Sequence, residues 1–187
     1  MKKGKGSSTK KQKKPMNWKE ELFFWYKTLL LTASFAIFIL SFVFTNSHVP
    51  TPSMEPAIMI NDRLFGFRLQ YLFSSPGRGD VVIFPFPDDP SILFAKRVIG
   101  LPGETITIIN GQVYIDNHEY PLHEPYLLEE MRGSFGPYFV PEGHYFVLGD
   151  NRQRSSDSRH WTNTFVSERS IIARVLFRYF PRPGLVR

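Results

Sequence analysis

The sequence predicts a mainly β fold preceded by one transmembrane α-helix. Residues Thr28 to Thr45 run for eighteen positions without a charge. Beyond them, short apolar runs rich in β-branched and aromatic residues recur between turn-forming residues, the pattern of strands. Pro85, Pro87, Pro90, Pro102, Pro121, Pro125, Pro137 and Pro141 punctuate that region. Each removes a backbone donor and crowds a preceding helical turn, so long helices are not expected there.

The elements follow in chain order. Residues 1–27 hold nine Lys against Glu20 and Glu21, a net of +7, while the rest of the chain nets −1. The basic character therefore belongs to the tail. A basic tail suits anionic lipid or nucleic acid. The apolar run that follows it favours membrane lipid as the partner, and no nucleic acid is expected. A helix of ~20 residues spans the hydrocarbon core. Trp25 and Tyr26 suit the interface, and Lys27 can snorkel to the headgroups. The lysine-rich side should stay in the cytoplasm by the positive-inside rule. Asn46-Ser47-His48-Val49-Pro50 makes a poor cleavage site, so an uncleaved anchor is expected. The expected organisation is a basic cytoplasmic tail at 1–22, a transmembrane helix at 23–45 and an extracytoplasmic β domain at 46–187.

Within that domain, Asp80 to Phe84 is a short apolar run between Gly79 and Pro85. Thr105 to Ile109 and Gln112 to Ile115 flank Asn110-Gly111, a strong type I′ hairpin signal. His144 to Leu148 and Ile171 to Phe180 are further strand candidates.

The chain has no cysteine, which removes disulfides, thiolate nucleophiles and cysteine-liganded zinc. Three segments carry chemistry. Pro52-Ser53-Met54-Glu55-Pro56 offers a serine held between prolines, with apolar Met54 suited to a membrane-facing rim. Phe94-Ala95-Lys96-Arg97-Val98-Ile99-Gly100-Leu101-Pro102-Gly103-Glu104 offers a lysine in a run that otherwise suits burial. Desolvation lowers a lysine pKa, and like-charge repulsion from Arg97 would add to it. A neutral lysine can serve as the base that activates a serine. In a strand, Phe94, Lys96 and Val98 would share one side. The third segment is Gly149-Asp150-Asn151-Arg152-Gln153-Arg154-Ser155-Ser156-Asp157-Ser158-Arg159. No Gly-x-Ser-x-Gly elbow, zincin histidine spacing or phosphate-binding loop offers a rival chemistry.

In this order, after a membrane anchor, the three segments resemble the type I signal peptidases, membrane-bound Ser/Lys proteases that remove signal peptides from exported proteins. The resemblance covers about residues 49–159 and implies a signal-peptidase-like β catalytic domain. It implies Ser53 as nucleophile and Lys96 as general base. Thr51 and the Ser53 backbone amide would hold the oxyanion. It implies dyad support: Ser155 orienting the Lys96 ammonium, Asp157 paired with Arg159, and Asp150 with Arg97. Ile83, Phe84 and Ala95 are expected in the substrate pocket, with Ala95 standing where relatives often carry a larger apolar residue. Ala57 stands where the family usually has threonine. The short connection from Gly103 to Gly149 suggests the compact form of the family. The implied partners are secretory preproteins with small residues at positions −1 and −3, docking by strand addition. No metal or organic cofactor is implied. The alternatives are a self-cleaving Ser/Lys regulator of related fold and a non-catalytic membrane adaptor.

Overall fold

The computed structural model describes residues 17–116, 118–129 and 131–186, so the lysines up to residue 14 lie outside them. Helix α1 runs from Trp18 to Phe42. The Asn17 carbonyl accepts from the backbone N–H groups of Glu20 and Glu21 at 2.8 and 3.0 Å. Those two carboxylates stand in the first turn, where the helix dipole favours them. No side chain of α1 is buried by protein, and the helix is long and apolar enough to cross a membrane. It begins at Trp18 rather than residue 23, so part of the expected tail is helical. It ends at Phe42 rather than residue 45. Strand pairing wins over helix propagation there, because the Phe44 ring packs on Phe65 and Phe67 at 6.1 and 5.8 Å.

Two antiparallel sheets follow. The larger is built from β1 (Phe44–His48), β2 (Arg63–Phe67), β3 (Val81–Phe86), β4 (Asp89–Gly100), β8 (His144–Leu148), β9 (Val166–Ser167), β10 (Ala173–Phe180) and β11 (Gly184–Leu185). Its order is β1-β2-β10-β3-β4-β8-β9, with β11 on β10. The smaller has the order β6-β5-β7, from β5 (Thr105–Ile109), β6 (Gln112–Ile115) and β7 (Phe135–Phe139). Asn110 and Gly111 both take positive φ, 50° and 87°, as a type I′ turn requires. At Gly111 a Cβ would also lie 1.8 Å from the Met131 carbonyl oxygen, so only glycine fits.

β3 is central and covered on both faces, which places the site. Val81 and Ile83 join Val49, Met54, Ile58, Leu64 and Val175 in one cluster. Val82 and Phe84 point the other way, to Val98, Tyr145, Val147 and Trp161. This is the period-2 alternation of a strand with no solvent face. A third cluster, including Ile99, Ile106, Phe146 and Leu148, joins the ends of β4 and β8 to the smaller sheet.

β4 has different neighbours along its length. It pairs with β3 from Asp89 to Arg97, but with β8 only at Arg97, Val98 and Gly100. Its Asp89–Lys96 stretch therefore has no strand on the β8 side among the described residues. Lys96 stands where that free edge meets the paired segment.

Candidate active site

The turn that carries Ser53 is fastened at its base and at its tip. Val49 N–H donates to the Asp62 carbonyl at 3.1 Å, and Asn61 N–H donates to the Val49 carbonyl at 2.8 Å. Pro50, Pro52 and Pro56 restrict the backbone between. Met54 and Ile58 are driven into the core, 1% and 0% exposed. Met54 is thus an anchor for the turn and not part of a membrane-facing rim. Its burial on the Ile83 side leaves the Ser53 side chain directed elsewhere, toward β4.

Lys96 Nζ donates to Ser53 Oγ at 2.6 Å across 43 residues of sequence. Both residues are buried. Val82 pairs with Lys96 on β3, and the Phe94 ring lies 5.1 Å from Nζ. Burial pulls the Lys96 pKa down from the ordinary lysine value to about 8. Asp157 and Asp150 oppose the shift, and Arg159 adds to it. The expected repulsion from Arg97 is replaced by that of Arg159. Arg97 Nε and Nη2 donate to the two Asp150 oxygens at 2.8 and 2.6 Å. No carboxylate comes within ion-pair distance of Lys96 among the described residues.

The Gly149–Arg159 segment is compact and largely buried, unlike a solvated turn. Asp157, fully buried, accepts from Arg159 Nε and Nη2 at 2.7 and 2.9 Å and from Gly149 N–H at 3.0 Å. The Arg159 pair helps to hold the Asp157 carboxyl below the usual range despite its burial. Asn151 N–H donates to the Ser53 carbonyl at 3.1 Å, tying the loop to the serine turn. A Cβ on Gly149 would fall 2.2 Å from Ser155 Oγ and 2.4 Å from the Ser53 carbonyl oxygen. The glycine is required by this close approach.

Most expected site residues converge here. Thr51 Oγ1 lies 3.2 Å from Ser53 Oγ. Ser155 is buried against Gly149 and helps, with Arg159, to hold the Asp157 carboxyl down, while the Lys96 ammonium bonds Ser53. A cavity of about 330 Å³ opens beside Ser53, with Thr51, Phe94, Ala95 and Lys96 in its wall. Ala95 lines it as expected. Ile83 and Phe84 do not: both are almost wholly buried in clusters on opposite faces of β3. Their place is taken by Ile92 and Leu93 of the free β4 edge and by Val49. His48 and Arg154, which sequence reasoning passed over, also line the cavity. Glu124 and Tyr126 were missed as well. Glu124 reaches Arg152 of the Gly149–Arg159 segment and Tyr126 reaches Arg97 of β4, both from an irregular segment with no periodic pattern to mark them.

Comparison with known proteins gives a family. The family described as "Signal peptidase, peptidase S26" matches residues 22–180. The chain is 36% identical over 182 residues to a probable signal peptidase I-2 of Synechocystis sp., covering 95% of this chain and 80% of that protein. It is 35% identical over 180 residues to a signal peptidase I of Bacillus licheniformis, covering 91% and 95%. It is 38% identical over 162 residues to a signal peptidase I of Leptolyngbya laminosa, covering 83% and 78%.

A lysine so depressed would set a pH dependence for Ser53 if it served as the base. Only the neutral amine can take the hydroxyl proton, and its fraction rises as pH rises through about 8. Acylation of Ser53 by a serine-directed reagent should therefore speed up across that point and level off above it. Below it the rate should fall by about tenfold per pH unit. Stopped-flow labelling of the full chain in detergent checks this, and a rate independent of pH between 6 and 9 would contradict it.

Proposed function

Because this chain belongs to the signal peptidase family, peptidase S26, and is a serine endopeptidase acting on signal peptides, we propose that Ser53 and Lys96 are its catalytic dyad. The buried 2.6 Å contact between them is the observation that carries this reading. Neutral Lys96 takes the proton from Ser53 Oγ as that oxygen attacks the scissile carbonyl carbon. The carbonyl electrons move to oxygen, where the Ser53 N–H and Thr51 Oγ1 hold the oxyanion. The tetrahedral centre collapses, the C–N bond breaks, and the Lys96 ammonium returns its proton to the leaving amine. Lys96 then deprotonates a water that attacks the acyl-enzyme and frees Ser53.

The signal peptide docks as an added strand along the free edge of β4, where backbone groups from Asp89 to Lys96 lack a partner on one side. Alternate substrate side chains enter the cavity, and Ala95 leaves room there for the residues at −1 and −3. Asp150 with Arg97, and Asp157 with Arg159, hold the surrounding loop. Ser155 positions Gly149 by packing. Helix α1 anchors the chain in the membrane, with the lysine-rich N-terminal side in the cytoplasm and the β domain outside.

Ser53→Ala and Lys96→Ala should each abolish cleavage of a preprotein supplied in trans while leaving the fold intact. Lys96→Arg should fail too, because a guanidinium stays protonated at neutral pH. Substantial processing by folded Lys96→Arg would remove lysine as the base.

Thr51→Val keeps the shape and deletes the hydroxyl. It should lower kcat by roughly 10²–10³-fold with KM little changed, the cost of one oxyanion donor. Thr51→Ser should retain most activity. Near-normal kcat in Thr51→Val would leave the Ser53 amide as the donor without Thr51.

For orientation, protease added to spheroplasts should degrade the β domain and spare an N-terminal tag. A protected β domain would reverse the assignment.

A further inference from the structure

The irregular segment between β6 and β7 reaches the Gly149–Arg159 loop through Glu124 and Arg97 of β4 through Tyr126. Glu124 pairs with Arg152 in a two-point ion pair, with Arg152 Nη1 donating to Glu124 Oε2 at 3.0 Å, and the side chains are 6% and 1% exposed. Arg152 Nε also donates to the Gly149 carbonyl at 3.1 Å. Gly149 in turn abuts the Ser53 carbonyl and Ser155. Tyr126 makes the second connection. Its hydroxyl donates to Glu124 Oε1 at 2.6 Å, and its ring lies 4.0 Å from the Arg97 guanidinium carbon. Arg97 follows Lys96 on β4 and holds Asp150. One route thus ends behind the serine and the other beside the lysine.

We propose that Glu124 and Tyr126 are positioning residues that set the spacing of the Ser53–Lys96 pair, through Arg152 and Gly149 on one side and Arg97 and Asp150 on the other. This inference rests on the dyad assignment above. Neither residue touches the cavity beside Ser53, so neither should govern substrate binding. A buried ion pair contributes little net stability, because desolvation offsets its attraction. Its value here is geometric. The pair fixes the Arg152 rotamer, and that fixes Gly149, whose Cα side abuts the Ser53 carbonyl.

The test uses the full chain in detergent with a preprotein substrate. Active sites are counted by a serine-directed acylating reagent, so kcat is expressed per competent serine. Glu124→Gln and Arg152→Gln should each lower kcat by about 10–100-fold, the scale of a misplacement near 1 Å. KM should stay within about twofold, as expected for groups that act on the transition state alone. The double variant should be no worse than either single one, because both remove the same connection. Tyr126→Phe keeps the ring over Arg97 and removes only the hydroxyl. It should lower kcat several-fold, and it decides the matter if the charge variants do not fold. Variants that lose thermal stability yet keep wild-type kcat per competent serine would overturn the proposal. So would a rise in KM at unchanged kcat. Ser53→Ala is measured in parallel. If it stays active, the dyad assignment fails; if it is silent while Glu124→Gln and Tyr126→Phe turn over normally, only the positioning role fails.

Discussion

The structure depends on one uncompensated charge site: the amine of Lys96, buried beside Ser53 without a carboxylate partner. Three other cations are buried around it, and each has one. Arg97 pairs with Asp150, Arg152 with Glu124 and Arg159 with Asp157. The pairing leaves the desolvation of Lys96 as the dominant electrostatic effect at the site. A lysine held to about 8 disfavours its proton by roughly 3 kcal/mol against an ordinary one. That is enough to provide a substantial neutral fraction near physiological pH. Had Asp157 or Asp150 moved onto Lys96, the lysine would be a structural cation and no base.

The fold supplies the burial through β3 and β4. Each face of β3 feeds a different cluster, so the strand beside Lys96 is dry on both sides. β4 is half paired: beyond Arg97 it is held by β8, and before it the edge is free. Lys96 stands at that junction, screened from water yet next to an open edge. The proposed base and the proposed docking edge are thereby kept in register by a single strand. The Ser53 turn gains its aim from Met54 and Ile58 beneath it and from Asn151 N–H on its carbonyl.

The Gly149–Arg159 loop shows how polar residues can build a rigid wall. Asp157 takes four hydrogen-bond donors from Gly149 and Arg159, Gly149 leaves no space for a side chain, and Arg159 also donates to the Arg152 carbonyl at 2.8 Å. Satisfied in this way, buried polar groups specify one arrangement.

Local signals determined much of this protein. The hairpin at Asn110-Gly111 and the strands Thr105–Ile109, Gln112–Ile115 and His144–Leu148 stand where the sequence placed them, because turn chemistry and period-2 patterning are local. An eighteen-residue run without charge likewise announces a membrane-length helix from composition alone. The three motifs marked Ser53 and Lys96, but their meeting across 43 residues came from the packing of Met54 and Ile58 on β3 and the pairing of β3 with β4. Other features could be settled only by tertiary packing. Phe44 left the helix for a strand because its ring finds Phe65 and Phe67. Ile83 and Phe84 left the pocket because β3 has no free face, a fact about its neighbours and not about its own residues. Arg97 met Asp150 across 53 residues, and Glu124 and Tyr126 entered the site from a segment whose sequence carries no pattern. Spacing along the chain encodes periodicity and turns; which buried charge meets which is decided by distances that only the folded chain creates.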